Sequence, residues 1–253
     1  MTIGFFDSGI GGLSVLQVAK QILNFESFIY VADSRNSPYG NKSTDFIISR
    51  SIKICQFLIE KKVKIIVVAC NTATSHSINV LRDRFEIPII GMEPGIKPAL
   101  SSSISKKIAV LATPKTLSGN KFAILSSKLH GDIYPIPAPG LVELIEAGNI
   151  KTQEMKLKLR QLLKPILRHN IDRLVLGCTH YSLVSKEIKA IIGENIEVYD
   201  PTEAVVKHLK DTLIKKNLQS KNSTPSIEYY CNADNRMMAQ LFNIKTPIKL
   251  LNQ

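Results

Sequence analysis

Short apolar runs alternate with longer amphipathic segments along this chain of 253 residues, and that alternation limits the folds it can adopt. The short runs are mostly rich in β-branched and aromatic residues, which favours strands. The longer segments have the helical period, as in 43–62, where apolar residues recur every three or four positions. Strands that alternate with helices indicate βαβ units around a parallel sheet. The predicted strands are 3–6, 28–32, 65–69, 89–91, 108–112, 133–136, 174–176, 198–199 and 227–230.

The sequence also repeats itself. Residues 66–72 read IVVACNT and residues 174–179 read LVLGCT, each an apolar strand followed by a small residue, a cysteine and polar side chains. Residues 3–9 and 108–116 likewise each run from a strand through small and hydroxyl residues into a helix. Because the two pairs of segments have nearly the same spacing, we infer an internal duplication.

An α/β fold with two similar parallel-sheet domains follows from this duplication, and the active site is expected in the cleft between them. We predict the first domain at 1–96 and the second at 97–204, with a break near 95–105, where a proline and a run of serines lie. The C-terminal segment, 205–253, is expected to rejoin the first domain. Residues 218–226 are predicted to form a loop because they are polar and rich in turn formers.

Composition excludes several classes of protein. The formal net charge is +12, but the basic residues are spread along helical segments and are mostly lysine, which disfavours a nucleic-acid partner and suits small anionic substrates. No apolar run approaches the ~18 residues of a membrane span, and no signal-peptide core is evident, so we expect a cytoplasmic protein with no membrane partner. The four cysteines show no CxxC, and we expect neither disulfides nor a structural zinc site.

Three polar clusters follow predicted strands, where ligands bind in open α/β sheets. They are FDSGIGG at 6–12, ACNTATS at 69–75 and GCTHYS at 177–182. The glycines of the first cluster do not complete GxGxxG, and no phosphate-binding GxxxxGK[ST] occurs, so a nucleotide cofactor is not expected. These glycines are interpreted as a tight turn between strand and helix.

Two of the four cysteines occupy equivalent positions in the repeats. Cys70 and Cys178 each precede a helix, whose dipole and free amides favour thiolate over thiol, whereas Cys55 and Cys231 are interpreted as core residues. Two thiols on opposite faces of a substrate carbon can remove a proton and return one, and this inverts a stereocentre. A hydrolase with one nucleophilic cysteine and His180 as its base stays open, as does zinc bound by Cys70, Cys178 and His180.

Five motifs, in the same order and with the same spacing, resemble the glutamate racemase family. They are FDSGIGGLSVL (6–16), YVADSRNSPYG (30–40), VACNTATS (68–75), PGLVELIEAG (139–148) and LGCTHYSL (176–183). The resemblance covers the chain to about residue 200 and weakens beyond it. It implies a racemase that needs no cofactor and no metal, acts on the small molecules L- and D-glutamate, forms a homodimer and supplies D-glutamate for peptidoglycan synthesis.

The resemblance also implies roles for individual residues. Cys70 is implied to act on D-glutamate and Cys178 on L-glutamate, with Asp7 and His180 assisting the respective thiols. The family's functional acid falls on Glu146. The residues implied to bind substrate are Asp7, Ser8, Tyr39, Gly40, Asn71, Thr72, Thr113, Thr116, Thr179 and His180.

Two positions depart from the family pattern. Ala112 stands where the family often has glycine, and Arg35 stands where alanine is more usual. Racemisation of a related amino acid such as aspartate stays open. A basic binding module that uses the same fold is the alternative from a different functional class.

Overall fold

The computed structural model describes residues 2–234 and 236–251, and within them the chain forms ten strands and eleven α-helices. The strands are β1 (Thr2–Asp7), β2 (Phe28–Ala32), β3 (Val63–Val68), β4 (Ile89–Gly91), β5 (Lys107–Ala112), β6 (Asp132–Pro137), β7 (Arg173–Gly177), β8 (Glu197–Tyr199), β9 (Ile227–Cys231) and β10 (Ile248–Leu250). The helices are α1 (Leu13–Ile22), α2 (Thr44–Glu60), α3 (Asn71–Arg84), α4 (Ile96–Ser102), α5 (Pro114–Leu117), α6 (Asn120–Ser127), α7 (Leu141–Glu146), α8 (Gln153–Leu163), α9 (Ser185–Ile192), α10 (Thr202–Lys215) and α11 (Arg236–Leu241). Short 3₁₀ helices lie at Ser34–Asn36, Tyr39–Asn41, Lys164–Arg168 and Thr179–Val184. Across these described ranges, no helix is both long and apolar enough to cross a membrane.

The strands form two parallel sheets with a shared plan. One sheet has the order β10-β9-β2-β1-β3-β4, and the other has the order β6-β5-β7-β8. The segment β2-β1-β3-β4 of the first sheet therefore matches the whole of the second, strand for strand. This match confirms the predicted α/β fold with two similar parallel-sheet units.

Burial explains why the strands read as continuous apolar runs. All six residues of β3 are buried, because helices cover both faces of the parallel sheet. The covering helices are amphipathic, and α2 begins where the sequence predicts, with the Ser43 hydroxyl accepting a hydrogen bond from the Phe46 amide. Local sequence and tertiary packing thus favour the same structure.

All nine predicted strands are present, and β10 is the one that the sequence prediction missed. It has three residues, two of them exposed, and therefore carries no apolar run. β9 pairs with β2, and β10 pairs with β9, so these C-terminal strands extend the first sheet. The segment 95–105, predicted as a break, contains helix α4. The division of the chain at residues 96 and 204 stays a prediction.

Candidate active site

The two cysteines from the sequence repeat lie at equivalent ends of the two sheets. Cys70 follows β3 after one alanine and precedes α3, and Cys178 directly follows β7. Both are buried, with 5% and 8% of their surface exposed. The Sγ atom of Cys70 accepts a hydrogen bond from the Ala73 amide at 3.4 Å and lies 3.5 Å from the Ser8 hydroxyl.

The environment of Cys70 favours the protonated thiol. Burial, reinforced by the negative charge of Asp7, raises the pKa of Cys70 to about 12, and the hydrogen bonds with Ala73 and Ser8 offset this only in part. The helix N-terminus was predicted to favour the thiolate of Cys70, but desolvation outweighs the hydrogen bonds that lower its pKa here. At neutral pH Cys70 is suited to donate a proton.

Cys178 lies at one end of a line of hydrogen-bonding groups. Its Sγ atom is 3.7 Å from Nδ1 of His180, and Nε2 of His180 is 2.6 Å from Oε1 of Glu146. Cys178 and His180 belong to the second sheet's β7 end, and Glu146 is the last residue of α7. The arrangement places an imidazole where it can stabilise a Cys178 thiolate, with a carboxylate behind it.

The charges along this line stabilise one another. Burial alone would lower the pKa of His180, but its hydrogen bonds with Cys178 and Glu146 raise that pKa well above 6.5. Burial alone would raise the pKa of Glu146, but donors from His180, Ile10 and Ser37 leave it lowered. Buried His180 and partly buried Glu146 therefore form an ion pair at neutral pH.

This ion pair makes a testable contribution to stability. Since the His180 pKa is raised on folding, its stabilisation is complete below pH 6.5 and is lost as the pH rises through the folded value. Since the Glu146 pKa is lowered, its stabilisation is complete above pH 4.5 and is lost as the pH falls through the folded value. Glu146→Gln should therefore lower the free energy of unfolding most between pH 4.5 and 6.5, by about 2 kcal/mol.

The measurement is chemical denaturation of both proteins at a series of pH values. A difference between them that does not vary with pH would contradict the ion pair.

Asp7 joins the two halves of the site. Its Oδ1 atom accepts from the Gly9 amide at 2.9 Å, and its Oδ2 atom accepts from the Thr179 hydroxyl at 3.0 Å. Burial raises the pKa of Asp7, while the nearby His180 charge opposes that shift. Asp7 therefore bridges the end of β1 and the segment that follows Cys178.

Three threonines predicted to bind substrate form a single hydroxyl cluster. The Oγ1 atoms of Thr72, Thr113 and Thr116 lie 2.9 to 3.0 Å from one another. Thr72 is the second residue of α3 in the first half, whereas Thr113 precedes α5 and Thr116 lies within it in the second half. Asn71 is also buried there, and its amide group donates to the Met92 carbonyl at 3.1 Å.

The loop around Tyr39 and Gly40 closes against the second half. The Tyr39 hydroxyl donates to Asp33 at 2.5 Å, so this phenol anchors the loop to the end of β2. A Cβ atom added at Gly40 would lie 3.2 Å from Thr113 Cβ, which shows how closely the loop approaches the threonine cluster. The Tyr39 hydroxyl is therefore engaged within the loop, whereas Gly40 lies where the loop meets the threonine cluster.

A scan against protein families matches the Asp/Glu/Hydantoin racemase family over residues 19–209. Among curated proteins, the glutamate racemase of Clostridium perfringens (strain SM101 / Type A) is 45% identical over 221 residues, covering 86% of this chain and 85% of the relative. The chain belongs to the glutamate racemase family.

Solved racemase structures have the same fold. Glutamate racemase isoform RacE1 from Bacillus anthracis superposes with a TM-score of 0.89 at 29% identity, covering 98% of this chain and 96% of that one. The glutamate racemase of Francisella tularensis subsp. tularensis SCHU S4, solved in complex with D-glutamate, gives a TM-score of 0.86 at 28% identity, covering 99% and 96%. The family resemblance inferred from the five motifs is therefore confirmed.

The glycines of FDSGIGG in this racemase family member are needed for space. A Cβ atom at Gly9 would lie 1.7 Å from Glu146 Oε1, and one at Gly11 would lie 2.5 Å from Nδ1 of His180. The interpretation of a tight turn was incomplete, because the second half of the chain packs against this turn. The turn thus packs directly against His180 and Glu146 and leaves the space that these two side chains occupy.

The geometry does not support the zinc alternative. Both ring nitrogens of His180 are engaged, with Cys178 and with Glu146. Within the described ranges, no group of three or more His, Cys, Asp or Glu side chains is arranged to hold a metal ion. The racemase site is therefore built from thiols, imidazole, carboxylates and hydroxyls.

Sequence reasoning missed several residues that support the site. The Ser37 hydroxyl donates to Glu146 at 3.2 Å, and the Tyr30 hydroxyl donates to the Gly9 carbonyl at 2.7 Å. Arg50 donates two hydrogen bonds to Asp33, at 2.7 and 3.0 Å, beneath the Tyr39 loop. Tyr30 and Ser37 both lie in the motif YVADSRNSPYG that the sequence singled out, but their contacts depend on tertiary packing that no local pattern shows.

Proposed function

We propose that this protein interconverts L- and D-glutamate by a two-thiol mechanism that needs no cofactor. The observation that carries the proposal is the pair of buried cysteines at equivalent strand ends in different environments. Cys178 has an imidazole beside it, and Cys70 has a pKa of about 12. One thiol is therefore prepared to accept a proton and the other to donate one.

The proton transfers follow from this asymmetry. The Cys178 thiolate, stabilised by protonated His180, takes the α-proton of L-glutamate, and the electron pair of the broken C–H bond moves onto Cα and its carboxylate. The Cys70 thiol gives its proton to the opposite face of Cα and becomes the thiolate. D-glutamate has then formed, and the two cysteines have exchanged protonation states.

The carbanion requires hydrogen-bond donors at the substrate carboxylate, because the α-proton of an amino acid is far less acidic than a thiol. The amides at the start of α3 and the hydroxyls of Thr72, Thr113 and Thr116 are suited to this role. Thr179 offers a further hydroxyl beside Cys178. The net charge of +12 favours approach of an anionic substrate.

Glutamate as the substrate is supported by family membership. The Francisella tularensis relative was solved in complex with D-glutamate. We further propose that the D-glutamate formed is used for peptidoglycan synthesis. The homodimer implied by the family resemblance stays a prediction.

One alternative has a specific observation in its favour. A thiol, an imidazole and a carboxylate in line, as in Cys178, His180 and Glu146, would also suit a hydrolase with a cysteine nucleophile. Such an enzyme has no use for a second thiol at Cys70. The hydrolase therefore leaves the repeated arrangement of cysteines unexplained.

The proposal is tested by incubating the purified protein with L-glutamate in EDTA, with no cofactor added, and separating the enantiomers. The mixture should approach equal amounts of the two, and D-glutamate should give the same end point. L-aspartate serves as the comparison substrate and should react far more slowly. An absence of D-glutamate, activity that returns only with added zinc, or a preference for aspartate would overturn the proposal.

A further inference from the structure

A fully buried tyrosine lies behind the active-site turn. Tyr30 is in the middle of β2, and its hydroxyl donates a hydrogen bond of 2.7 Å to the carbonyl of Gly9. Burial and the nearby Asp7 charge raise the pKa of Tyr30 well above 10, so the hydroxyl keeps its proton. None of the sequence motifs assigns this residue a function.

The carbonyl that Tyr30 binds belongs to the same peptide group as the amide of Ile10. This peptide group is trans, so its C=O and N–H bonds point in opposite directions. The Ile10 amide donates to Oε1 of Glu146 at 3.0 Å. Tyr30 therefore fixes the orientation of a peptide plane whose other side contacts the second half of the chain.

A continuous series of hydrogen bonds follows from this arrangement. It runs from Tyr30 through the peptide group between Gly9 and Ile10 to Glu146, and continues through His180 to the Cys178 sulfur. Hydrogen bonds in such chains polarise one another, so a donor at the carbonyl strengthens the amide as a donor. The far end of the series is the proposed base for L-glutamate.

We propose that Tyr30 is a positioning residue for the Cys178 half of the reaction, acting through Glu146 and His180. This inference rests on the proposed racemase function. The Cys70 side has no equivalent link to Tyr30 in this series, because Cys70 takes its hydrogen bond from the Ala73 amide and lies beside the Ser8 hydroxyl. Loss of the Tyr30 hydroxyl should therefore slow the two proton transfers unequally.

The turn itself does not depend on Tyr30. The Gly9 amide is held by Asp7 at 2.9 Å, and the Leu13 amide donates to the Ile10 carbonyl at 3.1 Å. Phenylalanine at position 30 would keep the ring that fills the core. Tyr30→Phe should therefore fold and change the orientation of one peptide group.

The test compares wild type with Tyr30→Phe. We expect kcat/KM to fall about tenfold in both directions, the rate equivalent of one hydrogen bond. The primary isotope effect with α-deuterated L-glutamate should rise, because C–H cleavage by Cys178 becomes more rate-limiting. The isotope effect with α-deuterated D-glutamate should fall, because cleavage by Cys70 becomes less rate-limiting.

Tyr230→Phe is the matched control. Tyr230 is also buried, and its hydroxyl donates to Glu228 at 2.8 Å on β9, away from the turn. Its removal should leave both isotope effects at their wild-type values. A second check adds Tyr30→Phe to Glu146→Gln, where it should have little further effect on kcat if Tyr30 acts through Glu146.

Several outcomes would overturn the inference. Tyr30→Phe could leave both isotope effects unchanged, change them in the same direction, or add its full effect on top of Glu146→Gln. If Tyr30→Phe fails to fold, 3-fluorotyrosine at position 30 retains the ring and strengthens the donor, and the isotope effects should then shift in the opposite sense; unchanged effects would count against Tyr30. A wild-type protein without racemase activity would instead overturn the proposed function.

Discussion

Cys70→Ser and Cys178→Ser are each expected to lower kcat by about 10²- to 10⁴-fold in both directions, the contribution of a well-placed general acid or base. Serine preserves the size of the side chain, but its hydroxyl is a much weaker acid than a thiol and a poor proton acceptor when neutral. Both variants should fold, since both cysteines lie at strand ends. Steady-state kinetics by chiral separation measures the effect.

Cys55→Ser provides the control for this prediction. Cys55 is fully buried on α2, and burial raises its pKa to about 12, as it does for Cys70. Its replacement places a hydroxyl in an apolar core and should cost about 1–3 kcal/mol of stability while kcat stays near wild type. Equal loss of activity in Cys55→Ser and Cys70→Ser would mean that the site is wrongly placed.

Gly9→Ala is expected to lower kcat by about 10²-fold, comparable to a small misplacement of a catalytic group. The added Cβ would lie 1.7 Å from Oε1 of Glu146 and 3.0 Å from the Ser37 hydroxyl. The flexible carboxylate can rotate away, so the protein should fold. After this rotation, however, the Glu146 carboxylate no longer contacts His180. Thermal unfolding measures any loss of stability, and steady-state kinetics measures the loss of kcat.

Gly4→Ala, in strand β1 just before the turn that holds Gly9, is the matched substitution. The three atoms nearest to a Cβ there belong to the apolar side chains of Leu58 and Val63, at 3.1 to 3.3 Å. Overpacking should cost about 1–3 kcal/mol of stability without a change in kcat. If Gly9→Ala instead retained full kcat, Glu146 would have no part in supporting His180.

The fold was accessible from sequence because it depends on patterns within short segments. Nine strands were predicted, since parallel strands buried on both faces carry apolar runs such as VKIIVV of β3. The duplication was visible in the two strand-cysteine segments, and it is matched by the common strand order of the two sheets. β10 was missed because its pairing with β9 involves three residues, of which two are exposed.

The site was accessible only in part, because its electrostatics arise from contacts between distant segments. The sequence placed Cys70 at a helix N-terminus, but the pKa of about 12 results from burial beside Asp7. Glu146 and Ile10 are 136 residues apart, and no local pattern pairs them. Tyr30 likewise has the sequence pattern of an ordinary core residue, and its hydrogen bond to the Gly9 carbonyl becomes evident only in the folded structure.

The two-thiol mechanism is tested most directly by the fate of the α-hydrogen during racemisation in deuterated water. Starting from L-glutamate, samples are taken early in the reaction, the enantiomers are separated, and the α position of each is examined by proton NMR. We predict that the D-glutamate carries solvent deuterium from the outset, because the Cys70 thiol has exchanged with the solvent and delivers a deuteron. The remaining L-glutamate should keep its original α-hydrogen. D-glutamate that retains much of the original hydrogen would show transfer by one group between the two faces, and would contradict the paired roles of Cys70 and Cys178.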